Sequence, residues 1–203
     1  LQEKPINEST WLYELPIIQS VYDYIKPTNY SLQLAMDYLE DKDEVKKFIN
    51  EYINTKRVDG VIILSTFEVG DVNILRLMES ELPFVLIGNQ TNIQPANQIL
   101  FDNYNAINEV MDYLYKLGHR RIGLINGFKN QQHMIQRGRA YFDSLKRLNL
   151  ETHKKWIKNA DHTVDGGRAR MHEILDFKEQ PTAIVCGNDD MAVGAMKAIK
   201  ERG

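Results

Sequence analysis

The chain has 203 residues, of which 43% are hydrophobic and 26% are charged, and its formal net charge is -3 at pH 7. This composition predicts a globular protein with one substantial core or two smaller lobes. It excludes a membrane-spanning protein, because no apolar run approaches the roughly 20 residues that a transmembrane helix needs. Lysine and arginine are scattered, so a basic nucleic-acid surface within these residues is not expected. The single cysteine, Cys186, excludes internal disulfides and fits a reducing compartment.

The first part of the chain alternates helical and strand patterns after an irregular start. Apolar residues at a spacing of 3.6 predict helices, and short apolar runs closed by turn residues predict buried strands. The predicted elements are a loop at 1–15, a helix at 16–26 with Pro16 in its first turn, a strand at 30–38, a helix starting at Asp43, a strand at 61–64, a helix at 71–82 and a strand at 84–87.

Residues 98–127 predict a strand, a helix and a second strand with very short connections. Five apolar residues share one helix face: Ile107, Val110, Met111, Leu114 and Tyr115. Gly118 is expected to end this helix. Because a crossover helix returns the chain in the same direction, we expect strand 122–125 to lie parallel to strand 99–101 in one buried sheet.

The remaining chain continues the same alternation. We expect a helix at 134–148, a weak strand centred on Trp156 and Ile157, a helix at 166–177, a strand at 182–186, and a final helix capped by Asn188. The residues predicted to face inward on the first and last of these helices are Ile135, Tyr141, Phe142, Leu145, Leu148, Met191, Ala195, Met196 and Ile199.

Five or more strands separated by helices predict an α/β protein with parallel sheets and helices on both faces. This alternation of strands and helices occurs both before and after residue 102, which indicates two similar lobes. In such sheets the loops at the carboxyl ends of the strands line the ligand crevice. The polar residues that follow strands here are Ser65, Asn89, Asp102, Asn103, Asn126, Asn188, Asp189 and Asp190.

Enzymatic and metal-binding signatures are missing from the sequence. It contains no dinucleotide or phosphate-loop glycine motif, no nucleophile elbow, and no histidine or cysteine spacing that suits zinc, so we predict neither a cofactor nor a metal. Simple structural roles compete at several positions: Asn103 and Asn188 suit helix caps, and Arg137 and Arg139 suit a solvated helix face. The histidines suit surface or packing positions.

Five segments resemble the effector-binding core of the LacI/GalR family of bacterial transcription regulators, in that family's order and spacing. They are KRVDGVIIL at 56–64, LPFVLIG at 82–88, DN at 102–103, LGHRRIGLI at 117–125 and PTAIVCGNDDMAVGAMKAI at 181–199. The resemblance is weaker before residue 40 and between residues 128 and 180.

The resemblance implies a two-lobed, periplasmic-binding-protein-like α/β fold in three layers, with an effector in the cleft. It implies an N-terminal lobe at 1–102 that lacks its first strand and a C-terminal lobe at 103–203 that is truncated. The DNA-binding helix-turn-helix module of the family is expected to lie outside this sequence.

The resemblance also implies the ligand-binding residues. Arg137 opens the family's effector-arginine pattern, although Ala140 replaces its usual glycine, and His162 takes the position of an aromatic that stacks on sugar. Histidine is a poorer apolar platform, which leaves room for a ligand other than a plain hexose. The remaining implied ligand-binding residues are Asn188, Phe101, Leu15, Pro16 and, as a softer match, Ser65.

The function implied by the resemblance is control of transcription. A sugar or sugar derivative would move the lobes of a cytoplasmic homodimer and so change its affinity for operator DNA. A sugar-binding protein of a transport system shares the fold and is the alternative. A third hypothesis is that the protein is an enzyme. It is disfavoured because no nucleophile and base are paired in the sequence.

Overall fold

The computed structural model describes residues 11–35, 42–64, 71–88, 97–129, 131–151 and 153–203. The α-helices are α1 (Trp11–Ile25), α2 (Lys42–Thr55), α3 (Asp71–Glu79), α4 (Asn103–Lys116), α5 (Gln132–Arg147), α6 (Val164–Leu175) and α7 (Asp189–Arg202). The strands are β1 (Val61–Leu64), β2 (Phe84–Ile87), β3 (Gln98–Ile99), β4 (Ile122–Asn126), β5 (Ile157–Asn159) and β6 (Ala183–Cys186). Within these ranges, each helix is too short or too polar to cross a bilayer.

The strands form two separate parallel sheets, which confirms the predicted fold class. The first sheet has the order β1-β2-β3 and the second has the order β5-β4-β6. All four strand pairings are parallel. The prediction that 98–127 forms a crossover within one sheet is wrong, because β3 pairs with β2 whereas β4 pairs with β5 and β6. Helix α4 therefore connects the two sheets.

The second sheet is covered on both faces by helices. Along β4, Ile122 and Leu124 join a core cluster that includes Met111 of α4 and Tyr141 of α5. The next residue, Ile125, joins a second cluster with residues of α6 and α7. Because successive strand residues point to opposite faces, this alternation builds a three-layer α/β/α arrangement around β4.

The first sheet has one core cluster among the described residues. Leu86 and Phe84 of β2 pack there with Ile49 of α2 and with Ile74 and Leu77 of α3. The outer strand β1 is less covered, and Ile62 is 49% exposed. The described part of this sheet is therefore protected less completely than the second sheet.

Several predicted elements in the first part of the chain are wrong. Helix α1 begins at Trp11 and contains Pro16 in its interior, so residues 11–15 are helical and the helix lacks the bond that a residue-16 N–H would donate. No strand occurs at 31–35, and residues 36–38 lie outside the described ranges. Helix α3 ends at Glu79, because the Ser80 hydroxyl donates to the Leu77 carbonyl and Glu81 takes a left-handed backbone.

Some residues predicted to face inward are exposed instead. These are Val110, Ile135, Phe142, Met196 and Ile199, each more than 40% exposed. On α5 the buried face includes Met134, Ala140, Tyr141, Ser144 and Leu145. This face is rotated about the helix axis from the face that the apolar residues predict. The buried polar Ser144 explains part of this error, since it donates a 2.6 Å hydrogen bond to Asn108 Oδ1 on α4.

Candidate functional site

A cavity of about 250 Å³, lined by both polar and apolar residues, lies at the carboxyl end of β6, between α4, α5 and the start of α7. This is close to the lower end of the usual size of small-molecule sites, roughly 300–1,000 Å³. Its lining residues are Asn103, Ala106, Ile107, Val110, Arg137, Cys186, Gly187, Asn188, Asp189 and Ala192. The position agrees with the rule that parallel sheets bind ligands beyond the carboxyl ends of their strands.

Arg137 is held in this cavity by contacts to two other segments. Its Nε donates a 2.8 Å hydrogen bond to Asn103 Oδ1, and its Nη1 donates to the Gly187 carbonyl after β6. The Asn103 amide in turn donates to the Phe101 carbonyl at 3.2 Å. Arg137 therefore joins the segment that links the two sheets to the end of β6.

Asn188 caps α7, as predicted. Its Oδ1 accepts a 3.0 Å bond from the Met191 N–H, and its Nδ2 donates to the His162 carbonyl at 2.9 Å. An amide offers two N–H groups and two acceptor lone pairs, so one of each remains beyond these bonds. Such a pair can both donate to and accept from a ligand hydroxyl.

Asn103 does not cap α4, contrary to the prediction. Asp102 is the capping residue, and its carboxylate accepts from the Asn105 N–H at 3.0 Å. Asn103 begins the helix with its side chain buried, and it accepts the hydrogen bond from Arg137. Because the aspartate takes over the capping role, the Asn103 amide is available to orient the arginine.

His162 lies beside the same cavity, in the loop between β5 and α6. Its ring packs over Gly127, where an added Cβ would overlap the imidazole. The ring also meets Phe128 edge to face, with centroids 5.1 Å apart, and accepts a 3.4 Å bond at Nε2 from the Phe128 N–H. The backbone of His162 is left-handed, with φ 68°. The loop after β4 thus fixes the position of this imidazole.

The electrostatics of the site favour neutral imidazoles. Burial, helped by the charge of Arg137 and by His162, lowers the pKa of His133 from 6.5 to about 4. Burial also lowers the pKa of His162, where Arg137 adds to the effect and Asp161 opposes it. Burial opposes ionisation of Asp161, but hydrogen bonds from Thr163 outweigh it and hold its pKa below the usual value.

Cys186 lines the cavity as a protonated thiol. Burial raises its pKa from 9.0 to about 12. Because the thiolate is the nucleophilic form, this side chain acts as a small hydrophobic group. Within the described ranges no group of three or more histidine, cysteine or acidic side chains is placed to hold a metal ion.

The structure brings together four of the residues implied as ligand-binding. Hydrogen bonds connect Arg137 through Asn103 to the Phe101 backbone, and Asn188 to His162. These bonds do not reach Leu15 and Pro16, which are exposed residues of α1. Ser65 lies outside the described residues, so its predicted role has no structural description.

The sequence analysis does not give His133 a place near the site, and it names Asn103 and Asn126 only as polar residues that follow strands. Asn126 ends β4, donates to the Met134 carbonyl at 3.0 Å and buries its Oδ1 without a hydrogen-bond partner among the described residues. His133 was treated as a surface or packing residue. A usable signal existed, because His133 and Arg137 are four residues apart and therefore share one helix face.

A second cavity, of about 320 Å³, lies at the opposite end of β4. Its lining includes Arg120, Arg121, His153, Trp156 and Glu179. Both arginines are exposed, and Trp156 is buried in the core. This cavity lies at the amino end of the strand, where parallel sheets do not usually bind ligands, so we favour the cavity at Arg137.

The chain has two parallel three-stranded sheets joined by a helix, and its candidate site lies at the carboxyl end of β6, where parallel α/β folds usually bind ligands. The model of the family described as periplasmic binding proteins and sugar binding domain of LacI family matches residues 30–203. The chain belongs to this family.

The relatives are transcriptional repressors. The chain is 26% identical over 182 residues to a probable HTH-type transcriptional repressor, ExuR, of Bacillus subtilis (strain 168), covering 89% of this chain and 54% of that protein. It is 30% identical over 173 residues to the HTH-type transcriptional repressor CytR of Escherichia coli (strain K12), covering 85% and 50%. The chain therefore spans about half the length of these relatives.

A solved structure gives the same assignment. The crystal structure of a regulatory protein of LacI family from Chloroflexus aggregans superposes with a TM-score of 0.80 at 26% identity, covering 100% of this chain and 71% of that one. The periplasmic-binding-protein-like fold implied by the resemblance is thus confirmed.

Proposed function

We propose that this chain is the effector-binding core of a LacI-type transcriptional regulator, with a sugar or sugar derivative bound against Arg137, Asn188, His162 and Phe101. The observation that carries this proposal is the pair of contacts made by Arg137, to Asn103 beside the link between the sheets and to Gly187 after β6. A ligand hydroxyl that bonds to Arg137 would therefore act on both of these segments.

The side chains of the site suit a polyhydroxylated ligand. Asn188 can donate and accept, Arg137 offers a rigid planar donor, and Phe101 presents a half-exposed aromatic ring. Leu15, Pro16 and Ser65, which precede residue 102 in the sequence, complete the proposed set. A mixture of two-way polar partners and apolar surface is what a sugar requires.

The proposed mechanism is a shift between two arrangements of the lobes 1–102 and 103–203. An effector that binds one arrangement more tightly changes the population of both. In a cytoplasmic homodimer this shift would alter the spacing of DNA-binding modules, which lie in the part of such regulators that this chain does not match. Operator affinity would then rise or fall with effector concentration.

The test is titration calorimetry with a panel of sugars on the unaltered chain and on Arg137→Ala. Removing the guanidinium leaves ligand and protein groups without their partner, so we expect the affinity of a bound sugar to fall about tenfold or more. The matched control is Arg139→Ala, on the same helix, whose side chain is 76% exposed and pairs only with Asp143 among the described ion pairs. Equal affinities of the unaltered chain and Arg137→Ala would remove Arg137 from the site.

The transport-type alternative has less support. The relatives named above are repressors, and their names give no role in transport. A direct comparison is possible in the full reading frame, where a helix-turn-helix segment favours regulation and a signal peptide favours transport.

A further inference from the structure

Arg137 lines the cavity, and we refer to it together with the nearby His133 and His162 as the basic cluster. His133 and Arg137 lie one turn apart on α5, and the His133 and His162 rings have centroids 6.2 Å apart. The charge of Arg137 acts on both imidazoles. His133 is not among the residues proposed to bind a neutral sugar, so its place next to Arg137 and His162 calls for its own explanation.

The geometry keeps His162 uncharged in the structure as it stands. The Phe128 N–H donates to His162 Nε2, and that nitrogen can accept only while it carries no proton. His133 is unfavourably placed for a charge, since it is partly buried next to Arg137 and His162. The basic cluster therefore holds two imidazoles that a nearby negative charge would convert into additional donors.

We propose that the effector carries a carboxylate or a phosphate group and that this group lies against the basic cluster. The inference rests on the function proposed above and narrows it to acidic sugars. A guanidinium matches the planar oxygens of either anion, and hydrogen bonds between charged partners are stronger than those between neutral ones. A neutral hexose could lie against the His162 ring, but it would leave both imidazoles without an anionic partner.

Acidic groups near the cluster are placed so that they do not occupy it. Asp161 lies next to His162, but its carboxylate accepts from the Thr163 hydroxyl at 2.6 Å and from the Thr163 N–H at 3.2 Å. Asp189 lines the cavity from the first turn of α7, where its side chain is exposed. The charged or titratable groups acting on His133 are thus Arg137 and His162, with Asp161 acting on His162.

Binding of an anion is expected to take up protons. The negative charge favours the protonated form of His133 and His162, so their pKa values rise in the complex. Because the complex then holds more protons than the free protein, affinity for the anion increases as the pH falls from about 7 towards about 5.5. A neutral sugar has no such dependence.

The experiment is calorimetric titration of the chain with glucose and galactose, with their uronates and with their 6-phosphates. We expect one charged series to bind about tenfold or more tighter than its neutral parent. Titration in two phosphate-free buffers of different ionisation enthalpy measures the proton uptake. The uronate and phosphate series distinguish the two sources of the anion.

Variants test whether the basic cluster causes the proton uptake and the pH dependence of anion binding. We expect His133→Gln to reduce the proton uptake and the pH dependence of anion binding. The matched control is His153→Gln, because His153 lies beside Glu179 and Trp156 at the other end of the sheet. Circular dichroism of each variant verifies that it folds.

The outcomes separate this inference from the function on which it rests. If a neutral sugar binds as tightly as its uronate and its 6-phosphate, and Arg137→Ala abolishes that binding, the proposed effector function is supported. The proposal that the effector carries an anionic group is then contradicted. If anions bind without proton uptake, or if His133→Gln and His153→Gln behave alike, the basic cluster is not the anion site. If no sugar of either kind binds, both proposals fail.

Discussion

The two sheets of this protein have the same strand direction but differ in how they are covered. The sheet β5-β4-β6 is enclosed by two core clusters, one with α4 and α5 and one with α6 and α7. The sheet β1-β2-β3 has one cluster among the described residues, with α2 and α3. The hydrogen-bonded part of the site belongs to the enclosed region. Packing on both faces fixes the elements that carry Arg137 and Asn188, which is how a rigid scaffold positions a binding residue.

The largest expected effect concerns the contact between α6 and α7 in the enclosed region. A Cβ on Gly194 would overlap the Val164 carbonyl oxygen, and one on Gly167 would overlap the Met191 carbonyl. We expect Gly194→Ala to lower the free energy of unfolding by about 4 kcal/mol, because two helix backbones must separate. Urea denaturation followed by circular dichroism measures the change.

The control for this variant lies in the less enclosed region. A Cβ on Gly60 would lie 3.2 Å from the Pro83 carbonyl oxygen, so Gly60→Ala is expected to cost less than about 1 kcal/mol. Similar losses in both variants would contradict the tighter packing that we assign to α6 and α7.

The next effect tests whether the two regions unfold as separate units. Leu86 of β2 and Ile125 of β4 are both fully buried. Leu86→Ala and Ile125→Ala are each expected to cost about 3 kcal/mol through loss of packing and creation of a cavity. In hydrogen exchange followed by mass spectrometry, Leu86→Ala should accelerate exchange within 61–99 and leave 122–186 protected. Ile125→Ala should do the reverse, and uniform acceleration by either variant would indicate one cooperative unit.

The smallest expected effect is a pH dependence of the free energy of unfolding that arises from His133, near the site. The pKa of His133 is lowered from 6.5 to about 4, so between these values the unfolded chain binds more protons than the folded one. This contribution to stability is present above about pH 6.5 and is lost as the pH falls towards about 4. Allowing for partial exposure, we expect about 1 kcal/mol.

His133→Gln checks this contribution. Urea midpoints of the variant and of the unaltered chain should differ in their pH dependence over that interval, and His153→Gln should follow the unaltered chain. Parallel curves for all three proteins would show that His133 contributes nothing to acid sensitivity.

The sequence predicts strands in both regions. Apolar runs alone predict the strands at 61–64, 84–87 and 122–125, since parallel strands are buried on both sides. The errors also occur in both regions: Pro16 lies inside a helix in the early chain, and Ile135 and Phe142 on α5 are exposed although they were predicted to face inward. The local sequence pattern of a helix or strand does not show which of its faces is covered by another part of the fold.

The site was predictable only in part. Arg137, His162, Phe101 and Asn188 were inferred from the family pattern, and Asn188 was also inferred as a cap. The role of Asn103 depends on Asp102 capping α4 instead, which no spacing rule reveals. The inference that β3, α4 and β4 share one sheet failed because a crossover helix looks the same whether it returns to its own sheet or begins another.

The left-handed backbone at His162 has a consequence for the behaviour of variants. A side chain with a Cβ is disfavoured there, by roughly 1–2 kcal/mol, whereas glycine adopts this conformation freely and asparagine does so more readily than most residues. Screening random libraries for thermal endurance alone should therefore enrich glycine or asparagine at position 162. Under the proposed function, such variants would be more stable but would bind the effector more weakly.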